Sequence, residues 1–294
     1  MTDNAVFVNN VRLSELSSMK TGGLAEKCCF PEDEEQLISC VKALEKEKSA
    51  YTVLGNMSNV LIPDENIDFV PVVTTKMTKV EKSVDENGKL HVYASCGVKL
   101  TKLAFEICDM GYLGAQFAYG IPGTVGGAVF MNAGAYGSEI KEIAEFVDFY
   151  DTENDKITRI NAEDCGFGYR TSAFQDKKGV ILGASFVFEK GVREEIMKEA
   201  KETMQKRVDK QPLEYPSCGS AFKRPEGYFA GKLIEDCGLK GVSVGGAQVS
   251  EKHAGFIINK GGATTKDVKE LIELIQKEVK EKFGVELIPE IRIL

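Results

Sequence analysis

An uncharged, glycine-rich stretch between Gly111 and Ser138 constrains this chain more than any other part of it. The stretch is long enough to cross a bilayer as a helix. However, glycine recurs throughout it, Pro122 interrupts it, and Gln116 and Asn132 would lie in hydrocarbon, which disfavours a membrane span. We therefore expect a buried region of closely packed loops and strands, in a protein with no membrane partner.

Length and charge narrow the possibilities further. The 294 residues exceed the usual size of one hydrophobic core, so two or three packed units are expected. A formal net charge of -8 disfavours binding to nucleic acid or to anionic membranes, because both require a basic surface. Anionic ligands would instead be held by local features, such as glycine-rich loops and a few basic side chains.

Cysteine spacing and the N-terminus bear on the compartment. The 8 cysteines form no CxxC pair and only 2 histidines accompany them, which disfavours a metal site or a disulfide framework. The opening MTDNAVFVNN lacks the basic and apolar segments of a signal peptide. We expect a cytoplasmic protein with reduced thiols.

Local patterns predict a mixture of helices and strands. Strands are predicted at 26–30, 51–54, 91–95, 146–150, 180–188 and 285–294. Helices are predicted at 100–109, 192–210 and 264–283, and a further helix is predicted to start within 31–35. The helix at 192–210 carries a narrow apolar stripe made of Ile196, Met197, Ala200, Met204 and Val208. We place a domain boundary after this helix, near Pro212.

The first candidate site is the turn LGNMSNVL, in which Gly55–Asn59 follows a predicted strand. Small residues let backbone N–H groups approach an anion such as a pyrophosphate, and the side chains of Ser58 and Asn59 add hydrogen bonds. An ordinary turn explains the same residues, because short turns of this composition are common.

The second candidate is the run from Tyr119 to Gly127 and on to Gly137. Glycine brings main-chain donors within reach of a flat cofactor or its diphosphate, whereas bulky side chains would not. The run contains neither a P-loop nor a dinucleotide-binding fingerprint. Tight packing of backbone against backbone explains its glycines equally well.

Two further segments carry basic or hydroxyl side chains. In GYRTSAF, Arg170 can present its planar fork to a carboxylate or phosphate, although a lone arginine is more often a surface residue. In PSCGSAFKRP, Ser220 precedes Lys223 and Arg224, so a hydroxyl could meet an anionic substrate. The absence of a GxSxG motif disfavours a serine hydrolase, and a structural turn is the alternative.

The C-terminal run VELIPEIRIL alternates as a strand does. A period of two puts Glu290 and Arg292 on one face, and Pro289 indicates an edge strand. The simplest explanation of this pair is a solvent-facing ion pair of little energetic value.

These segments, in this order, resemble the UDP-N-acetylenolpyruvoylglucosamine reductases. The resemblance rests on LGNMSNVL, GIPGTVGGAVFMNAGAYG, YRTSAF, PSCGSAFKRP, GGAQVSEKHAGFIIN and LIPEIRIL. It implies an α+β fold: a two-lobed FAD-binding domain of the vanillyl-alcohol-oxidase type and a smaller α+β substrate-binding domain. The implied divisions are lobe 1 at 1–70, lobe 2 at 71–190 and the substrate domain at 205–294, with the strand near 285–294 packing at the cleft.

The resemblance also implies the chemistry. NADPH would reduce a non-covalently bound FAD, and the flavin would then reduce UDP-N-acetylglucosamine enolpyruvate during peptidoglycan precursor synthesis. The protein would be a cytoplasmic monomer whose partner is a small UDP-sugar. The short interval between Arg170 and Ser220 resembles the family branch that lacks an inserted tyrosine loop.

Residue roles follow from the matching motifs. The implied catalytic residues are Arg170 for the substrate carboxylate, Glu290 assisting as a protonated donor, and Ser220 as proton donor. The implied FAD contacts are Gly55, Asn56, Met57, Ser58, Asn59, Gly120, Pro122, Gly123, Thr124, Gly126, Gly127, Asn132, Ala133, Gly134, Ala135, Gly137 and Arg292. The implied substrate contacts are Tyr169, Lys223, Arg224, Gln248 and His253, and no metal is expected.

The chain also departs from the family pattern. Asn56-Met57 stands where the family often has two glycines, and Gly255 stands where an asparagine is usual. The segment Met19–Gly23 lacks the aromatic-basic pair often found before its glycines, where a flavin contact would lie. Two competing hypotheses are a flavin oxidase on the same scaffold and a non-catalytic binding module. The segment after Pro212 disfavours the oxidase, and the joint presence of the three catalytic candidates disfavours the binding module.

Overall fold

The computed structural model describes residues 6–65 and 67–294. The opening five residues, on which the signal-peptide prediction partly rests, lie outside the described residues. Asn66, which falls in the predicted lobe 1–70, lies outside them as well.

Strands outnumber α-helices in the described residues, and several strands follow one another directly. The strands are β1 Phe7–Arg12, β2 Leu24–Cys29, β3 Tyr51–Leu54, β4 Val60–Leu61, β5 Val70–Val73, β6 Val80–Val84, β7 Leu90–Ser95, β8 Tyr112–Leu113, β9 Gly134–Ala135, β10 Ser138–Glu139, β11 Ala144–Asp151, β12 Lys156–Asn161, β13 Gly179–Lys190, β14 Ser217–Ser220, β15 Ser243–Val244, β16 Ala247–Val249, β17 Phe256–Asn259 and β18 Arg292–Ile293. The α-helices are α1 Leu13–Leu16, α2 Glu34–Glu47, α3 Leu100–Asp109, α4 Val125–Phe130, α5 Arg193–Lys210, α6 Ala230–Asp236 and α7 Thr265–Phe283. No helix among residues 6–65 and 67–294 has the length and apolar character that a bilayer crossing requires.

The chain divides into two compact units. The first comprises the described residues up to Asn9 together with Lys27–Asn56 and Phe69–Gln205, and the second comprises Asn10–Glu26, Met57–Asp68 and Lys206–Leu294. Each unit has its own buried apolar cluster. Each can therefore be described as a separately packed body.

The first unit contains two larger sheets and a short antiparallel pair formed by β9 and β10. In the four-stranded sheet, whose strand order is β1-β2-β5-β3, β5 pairs in parallel with β2 and with β3. The larger, antiparallel sheet has the order β12-β11-β13-β7-β6, with β8 also pairing with β13. Helix α3 buries Leu103, Ala104 and Ile107, the apolar face predicted from the sequence. This confirms the mixed α and β pattern.

The second unit contains an antiparallel sheet of order β14-β17-β16-β15 together with α6 and α7. Thr264 caps α7: its side chain accepts from the Asp267 backbone, while the Asp267 carboxylate accepts from the Thr264 backbone. Gly284 ends the helix in the left-handed conformation, with φ of 70°. Both signals were readable in the sequence, and the predicted helix is confirmed.

The predicted apolar stripe on α5 is wrong in its C-terminal half. Ile196 and Ala200 are buried, but Val208 is 42% exposed. Thr203 and Arg207 are buried on this helix in its place. The buried positions advance from Ala200 by three residues to Thr203 and then by four to Arg207, so the packed face follows helical geometry past a change from apolar to polar residues.

The C-terminal strand prediction is also wrong for most of 285–294. Only β18 is a strand, pairing in parallel with β4, and Pro289 forms an isolated bridge with Phe222. Leu287 and Ile291 are the buried residues of this run. Ile293, two positions beyond Ile291, is 42% exposed, so burial here does not keep to the period of two that a regular strand requires.

The expectation that all thiols are reduced is wrong for one pair. Cys29, at the end of β2, is joined by a disulfide to Cys40 on the buried face of α2. The sequence separation of 11 gives no hint of this contact, because it depends on how the helix packs against the sheet. The remaining cysteines are free in the described part of the chain.

Candidate functional site

In the first unit, the turn after β3 lies against the glycine-rich run. A Cβ added to Gly55 would stand 2.2 Å from the Thr124 Oγ1, so only glycine permits this approach. Beside it, the Asn56 Nδ2 donates to the Pro122 carbonyl over 3.1 Å. The Gly123 carbonyl accepts from the Leu100 backbone over 3.0 Å. Two segments separated by more than sixty residues are thus brought together, at the N-terminal cap of α4.

The glycines of this run fall into two classes. Added Cβ atoms at Gly126 and Gly134 would lie within 2.8 Å of neighbouring atoms, so these two glycines are required by packing alone. A Cβ at Gly127 would meet only the Thr124 Oγ1 at 3.7 Å, and one at Gly137 would meet nothing within 4 Å. Packing therefore accounts for neither glycine: the left-handed backbone explains Gly137, Gly127 has no such explanation, and the backbone of both stays open to a ligand.

Several positions near the run have left-handed backbone. Gly120 and Gly137 have φ of 97° and 95°, as glycine readily allows. Asn132, Tyr136 and Arg170 have φ of 42°, 55° and 55° without being glycine. Such conformations cost free energy and are concentrated at functional sites. Their clustering marks this part of the first unit as a candidate site.

Side-chain hydrogen bonds hold the Arg170 segment against the same run. The buried Asn132 donates through Nδ2 to the Gly168 carbonyl and accepts through Oδ1 from the Lys141 backbone. Arg170 Nη2 donates to the Gly134 carbonyl over 3.0 Å. Asn132 thus joins the glycine-rich run to the arginine segment, a positioning role that the sequence alone did not indicate.

Three more residues surround this junction. Ser172 and Gln175 both donate to the Phe130 carbonyl, at 2.8 and 3.0 Å, and no sequence pattern indicated either contact. Tyr169 is 52% exposed, with the Arg170 guanidinium 5.2 Å from its ring centre. The Ala133 backbone is hydrogen-bonded to Ala128 and to Ile140, and Gly134–Ala135 forms β9.

In the second unit, the remaining motifs also meet. Arg292 donates through its backbone to the Asn59 carbonyl over 3.0 Å, and the Asn59 Nδ2 donates to the Glu290 carbonyl over 3.2 Å. Glu290 donates through its backbone to the Ala221 carbonyl over 2.9 Å. Asn59, Glu290, Arg292 and the segment containing Ser220 therefore form one cluster.

Ser220 ends β14 next to an irregularity in the sheet. Ser217 is opposite Ile258 while Ser220 is opposite Phe256, so β14 has one residue more than its partner. Gly219 takes up this extra residue with φ of 76°. A bulge of this kind redirects a side chain at the end of a strand, and Ser220 is exposed.

Neighbouring groups define the chemistry available here. The Cys218 Sγ donates to the Val60 carbonyl over 3.2 Å, and burial raises the pKa of this thiol to about 12. It therefore stays protonated and is no nucleophile at neutral pH. Met57, which precedes Ser58 and Asn59, is buried and left-handed, with φ of 50°. Glycine would adopt that conformation without strain.

The polar groups of Gln248 and His253 are partly engaged within the second unit. The Gln248 Nε2 donates to the Gly241 carbonyl and to the Ser243 hydroxyl, both at 3.1 Å. The His253 Nδ1 accepts from the Gly255 backbone over 3.1 Å, and burial lowers the pKa of the imidazole. A Cβ at residue 255 would lie 3.0 Å from the His253 ring, which favours glycine there.

Comparison with known proteins covers both units. A family model described as UDP-N-acetylenolpyruvoylglucosamine reductase, C-terminal domain, matches residues 211–294, and one described as FAD binding domain matches residues 25–160. The chain is 47% identical to the UDP-N-acetylenolpyruvoylglucosamine reductase of Caldanaerobacter subterraneus over 97% of its length and 92% of the relative's. It is 44% identical to the enzyme of the same name from Caldicellulosiruptor saccharolyticus, covering 99% and 93%.

A solved structure is similar over the full length. The crystal structure of UDP-N-acetylenolpyruvylglucosamine reductase from Thermus caldophilus superimposes with a TM-score of 0.80 at 31% identity, covering 98% of each chain. The expected fold class, a flavin-binding domain followed by a smaller α+β domain, is confirmed.

Proposed function

The chain belongs to the UDP-N-acetylenolpyruvoylglucosamine reductase family, and from this premise we propose how its residues carry out the reaction. It is an FAD-dependent oxidoreductase that reduces UDP-N-acetylglucosamine enolpyruvate in peptidoglycan precursor synthesis, with NADPH as reductant. The match at 211–294 carries this assignment, because it distinguishes a reductase of this family from a flavin oxidase that has only an FAD-binding domain. We propose that the enzyme works as a cytoplasmic monomer without a nucleic-acid partner.

The residues of the first unit fit FAD. The turn at Gly55 and Asn56 meets the glycine-rich run, which carries no charged side chain that would repel a pyrophosphate. The open backbone at Gly127 and Gly137 supports cofactor contact there, whereas Gly126 and Gly134 act by packing. Bound FAD supplies hydride chemistry, accepting two electrons from NADPH and delivering them to the methylene carbon of the enolpyruvyl group.

We assign the remaining cofactor contacts by the same reasoning. They are Gly120, Pro122, Gly123, Thr124, Ala133, Ala135, Met57, Ser58, Asn59 and Arg292. Asn132 supports these contacts indirectly, since both ends of its amide are hydrogen-bonded within the protein.

Arg170 binds the substrate carboxylate in this proposal. Addition of hydride to the methylene carbon leaves negative charge on the carbon that bears the carboxylate, and a guanidinium fork stabilises such an enolate-like species. The left-handed backbone of Arg170 and its hydrogen bond to the Gly134 carbonyl support this role, because both restrict the conformations open to the side chain.

Ser220 gives the proton and Glu290 assists in the second unit. The carbanion is a strong base, so even a serine hydroxyl can protonate it once the two are held together. Hydrogen bonds from Asn59 to Glu290 and from Glu290 to Ala221 fix the backbone beside Ser220, which supports a shared role.

Substrate contacts complete the proposal. Lys223 and Arg224 bind the diphosphate of the UDP group, and Tyr169 is a further substrate contact. Gln248 supports the substrate site by holding the loop at Gly241 and Ser243, because its amide nitrogen donates to both and its Oε1 is buried. His253 is neutral at physiological pH because burial lowers its pKa, so it contributes a hydrogen bond rather than a charge.

The two half-reactions allow a direct test of Ser220. In Ser220→Ala holoenzyme, NADPH should bleach the flavin absorbance at the normal rate, and the substrate should fail to restore it. Ser217→Ala, on the same strand, is the matched control and should behave as wild type. Normal recovery of the flavin bands in Ser220→Ala would remove this hydroxyl from the mechanism.

A further inference from the structure

The loop between β14 and α6 presents aromatic side chains to solvent. Phe229 is 61% exposed and Tyr228 is 47% exposed, although both are large rings that proteins usually cover in part. Ile288, whose carbonyl accepts from the Lys223 backbone over 2.8 Å, is 58% exposed. The apolar surface on both sides of this loop is therefore unusually open.

A turn fixes the loop that carries the rings. The Tyr228 backbone donates to the Pro225 carbonyl over 3.1 Å, and Gly227 has φ of 74° at the third position of the turn. A Cβ at Gly227 would meet nothing within 4 Å, so this glycine is needed for its conformation and not for space. The Phe229 carbonyl then accepts from Lys232 and Leu233 at the start of α6.

A cation lies directly on one of the rings. The Arg224 guanidinium is 4.0 Å from the Phe229 ring centre, and the Arg224 Nε donates to the Tyr228 carbonyl over 3.3 Å. One ring face is thus occupied by a planar cation, while most of the side chain stays open to solvent. Lys223 and Arg224 are adjacent basic residues in a chain of net charge -8. Adjacent cations and exposed rings together indicate a binding site for a ligand that joins an anion to a flat ring.

We propose that Tyr228 and Phe229 form a stacking surface for the uracil ring of the UDP-sugar. The inference rests on the proposed function, which supplies a nucleotide whose diphosphate meets Lys223 and Arg224. One loop would then bind both parts of the nucleotide, the base by stacking on an aromatic face and the diphosphate by these cations. Stacking makes Tyr228 and Phe229 affinity-determining residues that take no part in proton or hydride transfer.

The test compares two ligands on the holoenzyme by isothermal titration calorimetry. UDP carries the base and the diphosphate, whereas inorganic pyrophosphate carries the diphosphate alone. In Phe229→Ala, UDP should bind about tenfold more weakly, within the range for loss of one stacked base, and pyrophosphate should bind as to wild type. Phe229→Trp, which keeps an aromatic face, should retain wild-type UDP affinity.

Phe283 provides a matched control in the same unit. It is 37% exposed and has the Lys282 Nζ 5.6 Å from its ring centre, so Phe283→Ala removes a comparable aromatic-cation pair. This control should leave UDP affinity unchanged. Normal bleaching of the Phe229→Ala flavin by NADPH should show that the variant is folded.

The outcomes separate the inference from the proposed function. Wild-type turnover together with unchanged UDP affinity in Phe229→Ala would overturn the stacking surface alone. Equal weakening of UDP and pyrophosphate would overturn it as well, because the ring would then act through the cations. A wild-type holoenzyme that binds no UDP and turns over no enolpyruvyl sugar would refute the function itself.

Discussion

The approach of Gly55 to Thr124 gives a prediction whose size follows from the structure. A Cβ at residue 55 would lie 2.2 Å from the Thr124 Oγ1 and 3.2 Å from the Thr124 Cβ and Cγ2. To accommodate it, Thr124 must leave its position as the N-cap of α4, where it accepts from the Gly127 backbone. Loss of a cap costs about 1 kcal/mol and overpacking about 1–3 kcal/mol, so Gly55→Ala should destabilise the apoprotein by about 2–4 kcal/mol.

A double-mutant cycle identifies the cause. Thr124→Ala removes the clashing oxygen and should cost about 1 kcal/mol on its own. Combined with Gly55→Ala, it leaves only the Cβ of residue 124 at 3.2 Å, a contact that small shifts relieve. The double variant should therefore be more stable than the sum of the single effects predicts, by about 1 kcal/mol or more. Urea unfolding of the apoproteins, followed by circular dichroism, measures all four free energies.

Gly127→Ala is the control and separates packing from cofactor contact. Its Cβ would meet only the Thr124 Oγ1 at an ordinary 3.7 Å, and alanine is preferred to glycine inside a helix by up to about 1 kcal/mol. The apoprotein should be as stable as wild type or more so, while FAD binds roughly tenfold more weakly because a methyl group stands over open backbone. Additive effects in the cycle, or unchanged FAD affinity in Gly127→Ala, would refute this reasoning.

Three other predictions concern separate parts of the protein. Arg170→Lys should leave flavin reduction by NADPH intact and slow flavin reoxidation by substrate about a hundredfold, because an ammonium lacks the guanidinium fork. Stopped-flow absorbance measures both rates, and an equal loss in the two half-reactions would contradict the role of Arg170. Asp267→Asn should lower the free energy of unfolding by about 0.5–1 kcal/mol at neutral pH. Backbone N–H groups of Thr264 and Gly246 lower the pKa of Asp267. The ionised carboxylate therefore stabilises the fold above its unfolded-state pKa, and this stabilisation disappears as pH falls through the folded-state pKa. Urea melts of wild type and Asp267→Asn should converge in acid, and a difference that stays constant with pH would show that the charge is not the source of the stabilisation. Cys29 and Cys40 should resist alkylation in the unfolded protein until a reductant is added, and immediate alkylation of both thiols would show that they are not linked. Cys40→Ser should lower the free energy of unfolding by about 2–3 kcal/mol in urea melts without reductant.

Local sequence signals predicted the regular elements well. The α7 helix was readable from its capping residues and from Gly284, and the bounds predicted for α3, Leu100–Asp109, agree with the structure. These signals work because a cap or an apolar face depends on residues a few positions apart. The order of the motifs predicted the family, and the similarity to that family extends over both units.

What the sequence did not reveal depends on contacts between distant segments. The burial of Arg207 on α5, the bridge between Phe222 and Pro289, and the disulfide of Cys29 all require knowing which elements pack together. The glycine-rich run shows the same limit. Ligand contact and tight packing were equally good explanations from the sequence, and only the space around each residue separates Gly127 from Gly126.

The residue roles, the three-part division at 1–70, 71–190 and 205–294, and the absence of a metal stay predictions. The structure does give the roles a physical basis within each unit. Hydrogen bonds join the Arg170 segment to the glycine-rich run, and others join Asn59, Glu290 and the backbone beside Ser220. Among residues 6–65 and 67–294, no group of three histidine, cysteine, aspartate or glutamate side chains could hold a metal ion.

The most direct test of the central claim is an anaerobic spectral titration of the purified holoenzyme. NADPH should bleach the flavin bands, and UDP-N-acetylglucosamine enolpyruvate added afterwards should restore them with formation of one equivalent of UDP-N-acetylmuramate. Bleaching that only oxygen reverses would indicate an oxidase, and a protein that shows no flavin spectrum even after FAD is added would contradict the whole account.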